Sequence, residues 1–521
     1  MRQGWGGLPE QKDCIQLCQL RRDASFCVPS GISPLMLRRL CSALAVLPLV
    51  LAASPARAID KVELQLPLLG VGFTVSLREL ENPETLWQGQ SDLAELNRAS
   101  GGALGRQIRR VFDTPLPVQT RQVVDQVVGT PLLEQALLAV TTLGRVDGLP
   151  KDLSGRDLQQ ALERASAQGN PTLLSLLRAL PGDSVTVDLP QAVGALQRMV
   201  AQRRQAAALI EAGKAVPVSP ALAQAGPLSV RRSLLQVSAA HRQAPLEVVV
   251  LEPERNGNGQ VVLVSHGLWD SPENFEGWGR HLASHGYRVL LPRHPGSDNS
   301  QQEAMLSGKT PPPSPDELRL RPLDVSAAIA ASGAQQVVVI GHSWGATTAL
   351  QLAGAKPSAN RLRERCTDLS DPERNLSWVL QCSFLSSADR SGLADPRVRA
   401  VVAVSPPLSL LFDHGAAQGM QARALLVSGS RDWVVSPDPE ALVPFASARS
   451  FGHELVLVDG GDHFNLRAPA EGDGGPLRGV LLAWTNAAFA PGAKPAPGAE
   501  APPLLPPSGW GSDKLPLVPA R

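Results

Sequence analysis

Val337-Val338-Val339-Ile340-Gly341-His342-Ser343-Trp344-Gly345-Ala346-Thr347-Thr348-Ala349-Leu350 is the stretch that decides the fold. Its first four residues are β-branched and apolar without alternation, the pattern of a strand buried on both faces. The stretch after Gly345 reads as a helix. Between them lies G-x-S-x-G, a sequence that recurs by chance but is far more specific in a strand–helix setting. A sharp strand-to-helix turn lifts the Ser343 hydroxyl clear of the main chain, and bulky residues in place of the glycines would collide. The helix N-terminus beneath it favours developing negative charge. Ser343 is therefore the candidate nucleophile, and the Trp344 N–H is a candidate donor to an oxyanion.

Working outward, short apolar runs alternate with helical segments on both sides of this motif. The candidate strands are 233–237, 246–251, 261–264, 288–291, 337–340, 398–404, 424–427 and 454–458. Strands spaced by helices imply a mostly parallel sheet, so the class is α/β over residues 228–490. The run Val261–Val264 leads into Ser265-His266-Gly267-Leu268, and the Leu268 N–H is the second candidate oxyanion donor. His266 precedes the nucleophile in the chain and is read as orienting that loop, not as a base. Three histidines follow Ser343: His414, His453 and His463. His463 comes directly after strand 454–458, at the carboxyl edge where ligands bind. His453 lies at the other end of the same strand, and His414 has no clear strand before it. The acid candidate is Asp432, in the loop after 424–427. Asp459 and Asp462 are too near His463 in sequence to be preferred. Asp432 would hold the His463 tautomer and stabilise its imidazolium.

Ser265-His266-Gly267, His294-Pro295-Gly296-Ser297-Asp298, Gly341-His342-Ser343-Trp344-Gly345, Gly429-Ser430-Arg431-Asp432 and Gly461-Asp462-His463 occur in that order. Together they resemble hydrolases of the α/β-hydrolase fold related to dienelactone hydrolase and to platelet-activating-factor acetylhydrolase. The resemblance covers about Val230 to Ala490. It implies a Ser-Asp-His triad and a small-molecule ester or lipid substrate. Dienelactone hydrolase itself uses a Cys nucleophile, whereas this chain has Ser343, which favours ordinary ester hydrolysis. The region ahead of it resembles the extra domain found before such hydrolases in cyanobacteria.

That N-terminal region, 59–215, opens with the alternating segments 62–66 and 72–77, a candidate β-hairpin. Helical periodicity follows, with segments at 131–143, 155–167 and 189–212. Thr130 is the expected N-cap of the first, with Pro131 at its first position, and Ser154 that of the second. The expectation is a mainly helical domain. A Pro- and Ala-rich stretch, 216–227, marks the boundary. Residues 355–396 interrupt the fold after the nucleophile helix and read either as a cap over the pocket or as a decorated surface loop. Residues 491–521 are Pro-, Gly- and Ala-rich and read as a disordered tail.

Met36-Leu37-Arg38-Arg39, the apolar run Leu40–Ala53 and Ser54-Pro55-Ala56-Arg57-Ala58 have the order of a secretory signal peptide cleaved after Ala58. The apolar run is shorter than the roughly 18 residues of a membrane span, so no stable span is expected. Residues 1–35 are an extension of uncertain status. Export would place the chain in the periplasm or outside the cell, or in the thylakoid lumen of a cyanobacterium. Of six cysteines, only Cys366 and Cys382 lie after the cleavage site. In an oxidising compartment they read as a disulfide, the alternative being two buried thiols.

The 521 residues are 43% hydrophobic, enough for a sizeable core, and the formal net charge is +1. There is no long block of like charge, one Tyr and 4% aromatic content, which argues against a nucleic-acid partner. No metal cluster or cofactor fingerprint accompanies the site, and no cofactor is expected. The leading reading is a carboxylic-ester hydrolase. A lipase- or phospholipase-type acyl hydrolase and a non-catalytic binding protein on the same fold are the alternatives.

Overall fold

The computed structural model describes residues 59–66, 71–113, 125–126, 128–141, 144–147, 155–167, 169, 171–490 and 501–520. The proposed signal peptide, the 1–35 extension and the Ser154 cap lie outside them.

Nine strands form one sheet in the order β13-β12-β11-β10-β9-β7-β8-β6-β5. They are β5 (Val230–Val237), β6 (Leu246–Pro253), β7 (Val261–Ser265), β8 (Arg288–Pro292), β9 (Val337–His342), β10 (Val398–Val404), β11 (Arg423–Gly429), β12 (Glu454–Val458) and β13 (Leu517–Pro519). Strands β8, β7, β9, β10, β11 and β12 run parallel, and β5, β6 and β13 add antiparallel edges. The continuous apolar runs are explained by burial on both faces. Val337 and Val339 enter one core cluster while Val338 and Ile340 enter the other. Each such side chain contributes about 1.5–3 kcal/mol by leaving water. The chain steps from β7 to β8 on one side and returns with β9 on the other. Loops after β7 and β9 therefore diverge, and a crevice opens at the carboxyl ends of those two strands.

The N-terminal region is mainly helical, as expected, but carries a small sheet larger than the expected hairpin. The hairpin is present as β1 (Lys61–Leu66) and β2 (Val71–Ser76), paired antiparallel. Two unexpected strands, β3 (Gly144–Asp147) and β4 (Ser184–Asp188), complete a mixed sheet of order β2-β1-β4-β3. Strand β4 pairs with β1 across more than a hundred residues of sequence, so helical periodicity in the intervening segments conceals it. Helices Pro131–Thr141 and Gly155–Ser166 match expectation. The segment expected at 189–212 is two helices, Leu189–Ala201 and Arg204–Ala212, broken at Gln202 and Arg203. Asp438 caps the second by accepting the main-chain N–H groups of Gln205 (2.9 Å) and Ala206 (2.9 Å).

The tail also corrects the sequence reading. Residues 501–520 are ordered, and β13 pairs antiparallel with β12. Trp510, Leu517 and Val518 are buried, Arg423 donates to Pro502 O (2.6 Å), and Val216 N donates to Leu517 O (2.9 Å). Proline-rich composition rules out a helix here, but prolines are tolerated on an edge strand. The apolar residues spaced among them supply the burial that composition alone hides. Segment 216–227, read as a domain boundary, packs against this tail: Ser219 N donates to Gly509 O (2.8 Å).

Within 355–396, the helices Asn360–Arg365 and Ser377–Ser383 are joined by a Cys366–Cys382 disulfide with a Cα–Cα distance of 5.7 Å. Trp378, Cys366, Cys382 and Phe384 all enter the core. Buried Glu440 gathers this segment to the loop after β10. It accepts from Asn375 Nδ2 (2.9 Å), Ser377 Oγ (2.8 Å), Gln381 Nε2 (3.0 Å), and the N–H groups of Leu408 and Ser409 (both 2.8 Å). The segment is thus packed into the core through Cys366, Trp378, Cys382 and Phe384. Among the described residues, no helix is long and apolar enough to cross a membrane.

Candidate active site

Strand β9 ends at His342, and the helix Trp344–Leu352 begins one residue beyond Ser343. Ser343 takes φ 53° and ψ −124°, a conformation costly for a residue with a Cβ and typical of functional sites. Its flanking glycines are dictated by space. A Cβ on Gly341 would lie 2.0 Å from Gly345 O, and one on Gly345 would lie 2.0 Å from Ser265 O. The Ser343 N–H donates to Val404 O (2.9 Å), which ties the turn to the end of β10.

The loop after β7 lies against this turn. A Cβ on Gly267 would come within 3.1 Å of the Ser343 Cβ, so the next peptide, carrying the Leu268 N–H, borders the serine. His266 fixes the loop. Its Nδ1–H donates to Gly267 O (2.8 Å), and its Nε2 accepts the His294 N–H (3.1 Å). Both nitrogens are thus committed to the neutral ring, and burial, with His294 and Arg321 nearby, holds its pKa well below the ordinary histidine value. His266 is a structural histidine, as the sequence suggested, and not a base.

Asp432 lies three residues beyond β11 and His463 five beyond β12. The structure brings them together: His463 Nδ1–H donates to Asp432 Oδ2 at 2.9 Å. Asp432 is fully buried, and its other oxygen accepts the N–H groups of Val434 (2.9 Å) and Val435 (2.8 Å). These bonds satisfy the carboxylate and fix its orientation. The His463 carbonyl accepts from His342 Nε2 (2.9 Å), which sets His463 beside the nucleophile turn, and its own Nε2 makes no hydrogen bond among the described residues. The rejected candidates are occupied elsewhere. Asp462 Oδ1 accepts the N–H groups of Phe464 and Asn465 (both 2.8 Å), an ordinary local turn. His453 Nδ1 accepts the Ala424 N–H (3.0 Å) at the far end of the sheet, and burial lowers its pKa to about 4.

Chemically, the arrangement offers a hydroxyl on a strained turn, an imidazole oriented by a carboxylate, and two main-chain N–H groups. A family model described as alpha/beta hydrolase fold matches residues 260–366, which span β7, β8, the nucleophile turn and its helix. The chain has an α/β-hydrolase fold. A second model, alpha/beta hydrolase of unknown function, matches residues 58–188, the region of the four-stranded sheet. Among curated proteins none matches this chain. The α/β-hydrolase fold supports hydrolysis in general; the bond cleaved is a matter for the site itself.

Sequence reasoning missed several groups around this site. His294 was quoted only within a motif. In the structure its Nε2 meets Ser265 Oγ (2.9 Å) and its Nδ1 meets Asp324 Oδ2 (2.8 Å). Ser265, His294 and Asp324 have no exposed surface, so this second Ser-His-Asp set is sealed from substrate. Arg321, equally buried, was not singled out at all, because nothing in the residues beside it marks a buried cation.

Proposed function

We propose that this protein is a serine hydrolase that cleaves carboxylic esters through an acyl-enzyme intermediate. The observation that carries this reading is the 2.9 Å bond from His463 to buried Asp432, with the His463 carbonyl anchored on the residue preceding Ser343. Asp432 keeps the proton on Nδ1, which leaves Nε2 as the base. His463 Nε2 takes the Ser343 proton as Oγ attacks the ester carbonyl. The tetrahedral oxyanion is received by the N–H groups of Leu268 and Trp344. The proton passes to the leaving alcohol, the acyl group stays on Ser343, and water activated by the same imidazole releases the acid.

Trp433 and Phe464, the immediate neighbours of Asp432 and His463, are 44% and 49% exposed. Large aromatics left in water beside a site favour an apolar substrate group, which keeps an acyl-lipid substrate as the second reading. A fluorophosphonate probe should label Ser343, and p-nitrophenyl esters of graded chain length should be turned over. Folded protein that neither labels nor hydrolyses any ester would defeat the proposal in favour of a binding role. A preference rising with chain length would select the lipase-type reading.

The same reading places the mature protein in an oxidising compartment, where the Cys366–Cys382 bridge persists. Intact-mass analysis of protein from its source should give a chain beginning at or near Ile59, lighter by the two thiol hydrogens. A soluble chain retaining Met1 or Met36, with both thiols alkylatable, would overturn it.

A further inference from the structure

Arg321 lies on the helix Glu317–Ser332 and has no exposed surface. Its Nη2 donates to the carbonyl of His266 and lies 3.4 Å from that of Gly267. Its guanidinium sits over the Trp344 indole, 4.7 Å from the ring centre. One side chain thus touches both residues that frame Ser343, the loop leading to Leu268 on one side and Trp344 on the other.

Among the described residues no carboxylate forms an ion pair with Arg321. The two carboxylates on the same helix are taken by Arg242, which donates to Glu317 (2.6 and 2.8 Å) and to Asp324 (2.8 and 2.7 Å). Asp324 also meets His294 and, at 2.7 Å, His241 Nε2. Arg321 Nε and Nη1 are left with no hydrogen-bond partner among the described residues. A buried cation is ordinarily paired, because desolvation costs several kcal/mol per ion. An unpaired one held behind a site is a candidate for function.

We propose that Arg321 is the positioning residue of the oxyanion hole and that its unpaired charge stabilises the oxyanion of the tetrahedral intermediate. The inference rests on the reading of Ser343 as nucleophile. In a trans peptide the C=O and the following N–H point in opposite directions. Holding the Gly267 carbonyl inward, by Arg321 and by His266 Nδ1–H, therefore turns the Leu268 N–H outward to the serine. Behind it, a fixed positive charge in a low-dielectric interior acts on negative charge that develops as the tetrahedral intermediate forms and is absent from the bound ester. The sealed set Ser265, His294 and Asp324 braces the same loop from below, since Ser265 adjoins His266 and the His294 N–H bonds to its ring. Burial pulls the Arg321 pKa down to about 9, so the charge persists at neutral pH.

The test compares Arg321→Gln, which keeps a donor but no charge, with Arg321→Lys, which keeps the charge, and Arg321→Met, which keeps neither. Wild type is first labelled with a fluorophosphonate at Ser343. Then kcat and KM for a p-nitrophenyl ester are measured beside the affinity of a trifluoromethyl ketone, whose adduct with serine carries the oxyanion. Gln and Met should lower kcat and ketone affinity by about 10- to 100-fold with KM within about threefold, and Lys should restore most of both. Variants with wild-type kcat and ketone affinity overturn the proposal. So does a Lys variant that falls as far as Met, since a purely structural arginine predicts that outcome together with a lowered Tm. If Met does not fold, the Gln and Lys pair decides. Unlabelled wild type would instead overturn the nucleophile and this inference with it, a result distinct from labelled wild type with unaffected variants.

Discussion

Ser343→Ala should leave a folded protein with no measurable esterase activity. The structural bond of this residue is its main-chain N–H to Val404 O, and alanine keeps it. Alanine also keeps the single Cβ that the φ 53° turn already tolerates, so the strain is unchanged. What is lost is the oxygen that would form the acyl-enzyme. Removal of a triad serine costs on the order of 10⁶ in kcat, with a residual rate from the oxyanion hole and binding alone. The measurement is kcat on a p-nitrophenyl ester beside Tm and far-UV circular dichroism. Turnover within tenfold of wild type, in protein free of contaminating esterase, would remove Ser343 from the mechanism.

Asp432→Asn should be nearly as severe, on the order of 10⁴ in kcat. The main-chain N–H groups of Val434 and Val435 can still bond to the amide oxygen, so the loop after β11 should keep its shape. The amide nitrogen then faces His463 Nδ1, and two donors cannot share that contact. The imidazole must place its proton on Nε2, where it can no longer accept from Ser343. The expected signature is a fallen kcat with Tm little changed. Asp459→Asn is the control: Asp459 lies directly after β12, where its N–H donates to Pro516 O (2.9 Å). A silent Asp432→Asn beside a crippling Asp459→Asn would transfer the role of acid.

Much of this site was legible because it is built from short-range chemistry. Ser343 was marked by glycines that its own turn requires, and each of Leu268, Asp432 and His463 lies in the loop after a recognisable apolar strand. Arg321 and the set Ser265, His294 and Asp324 were not legible. Their partners lie tens of residues away, and nothing within a helix segment tells whether its arginine faces water or the underside of a loop. The cysteine pairing was readable only because the proposed cleavage leaves two candidates.

By itself the sequence determined the elements of the nine-stranded sheet from β5 to β12, their largely parallel sense, and the strand–turn–helix around Ser343. Continuous Val- and Leu-rich runs are stable only when both faces are covered, and Gly341 and Gly345 answer to atoms only a few ångströms away. Tertiary structure alone decided which edges would be covered. Strand β13 exists because the β12 edge offers unpaired main-chain groups to a distant proline-rich segment. Strand β4 exists because β1 offers the same to residues far along the chain. Tertiary structure also decided that the carboxylates nearest Arg321 would be claimed by Arg242, leaving a buried charge behind the serine. Pairing of that kind depends on what else competes for each group in three dimensions, and no local pattern of residues encodes that competition.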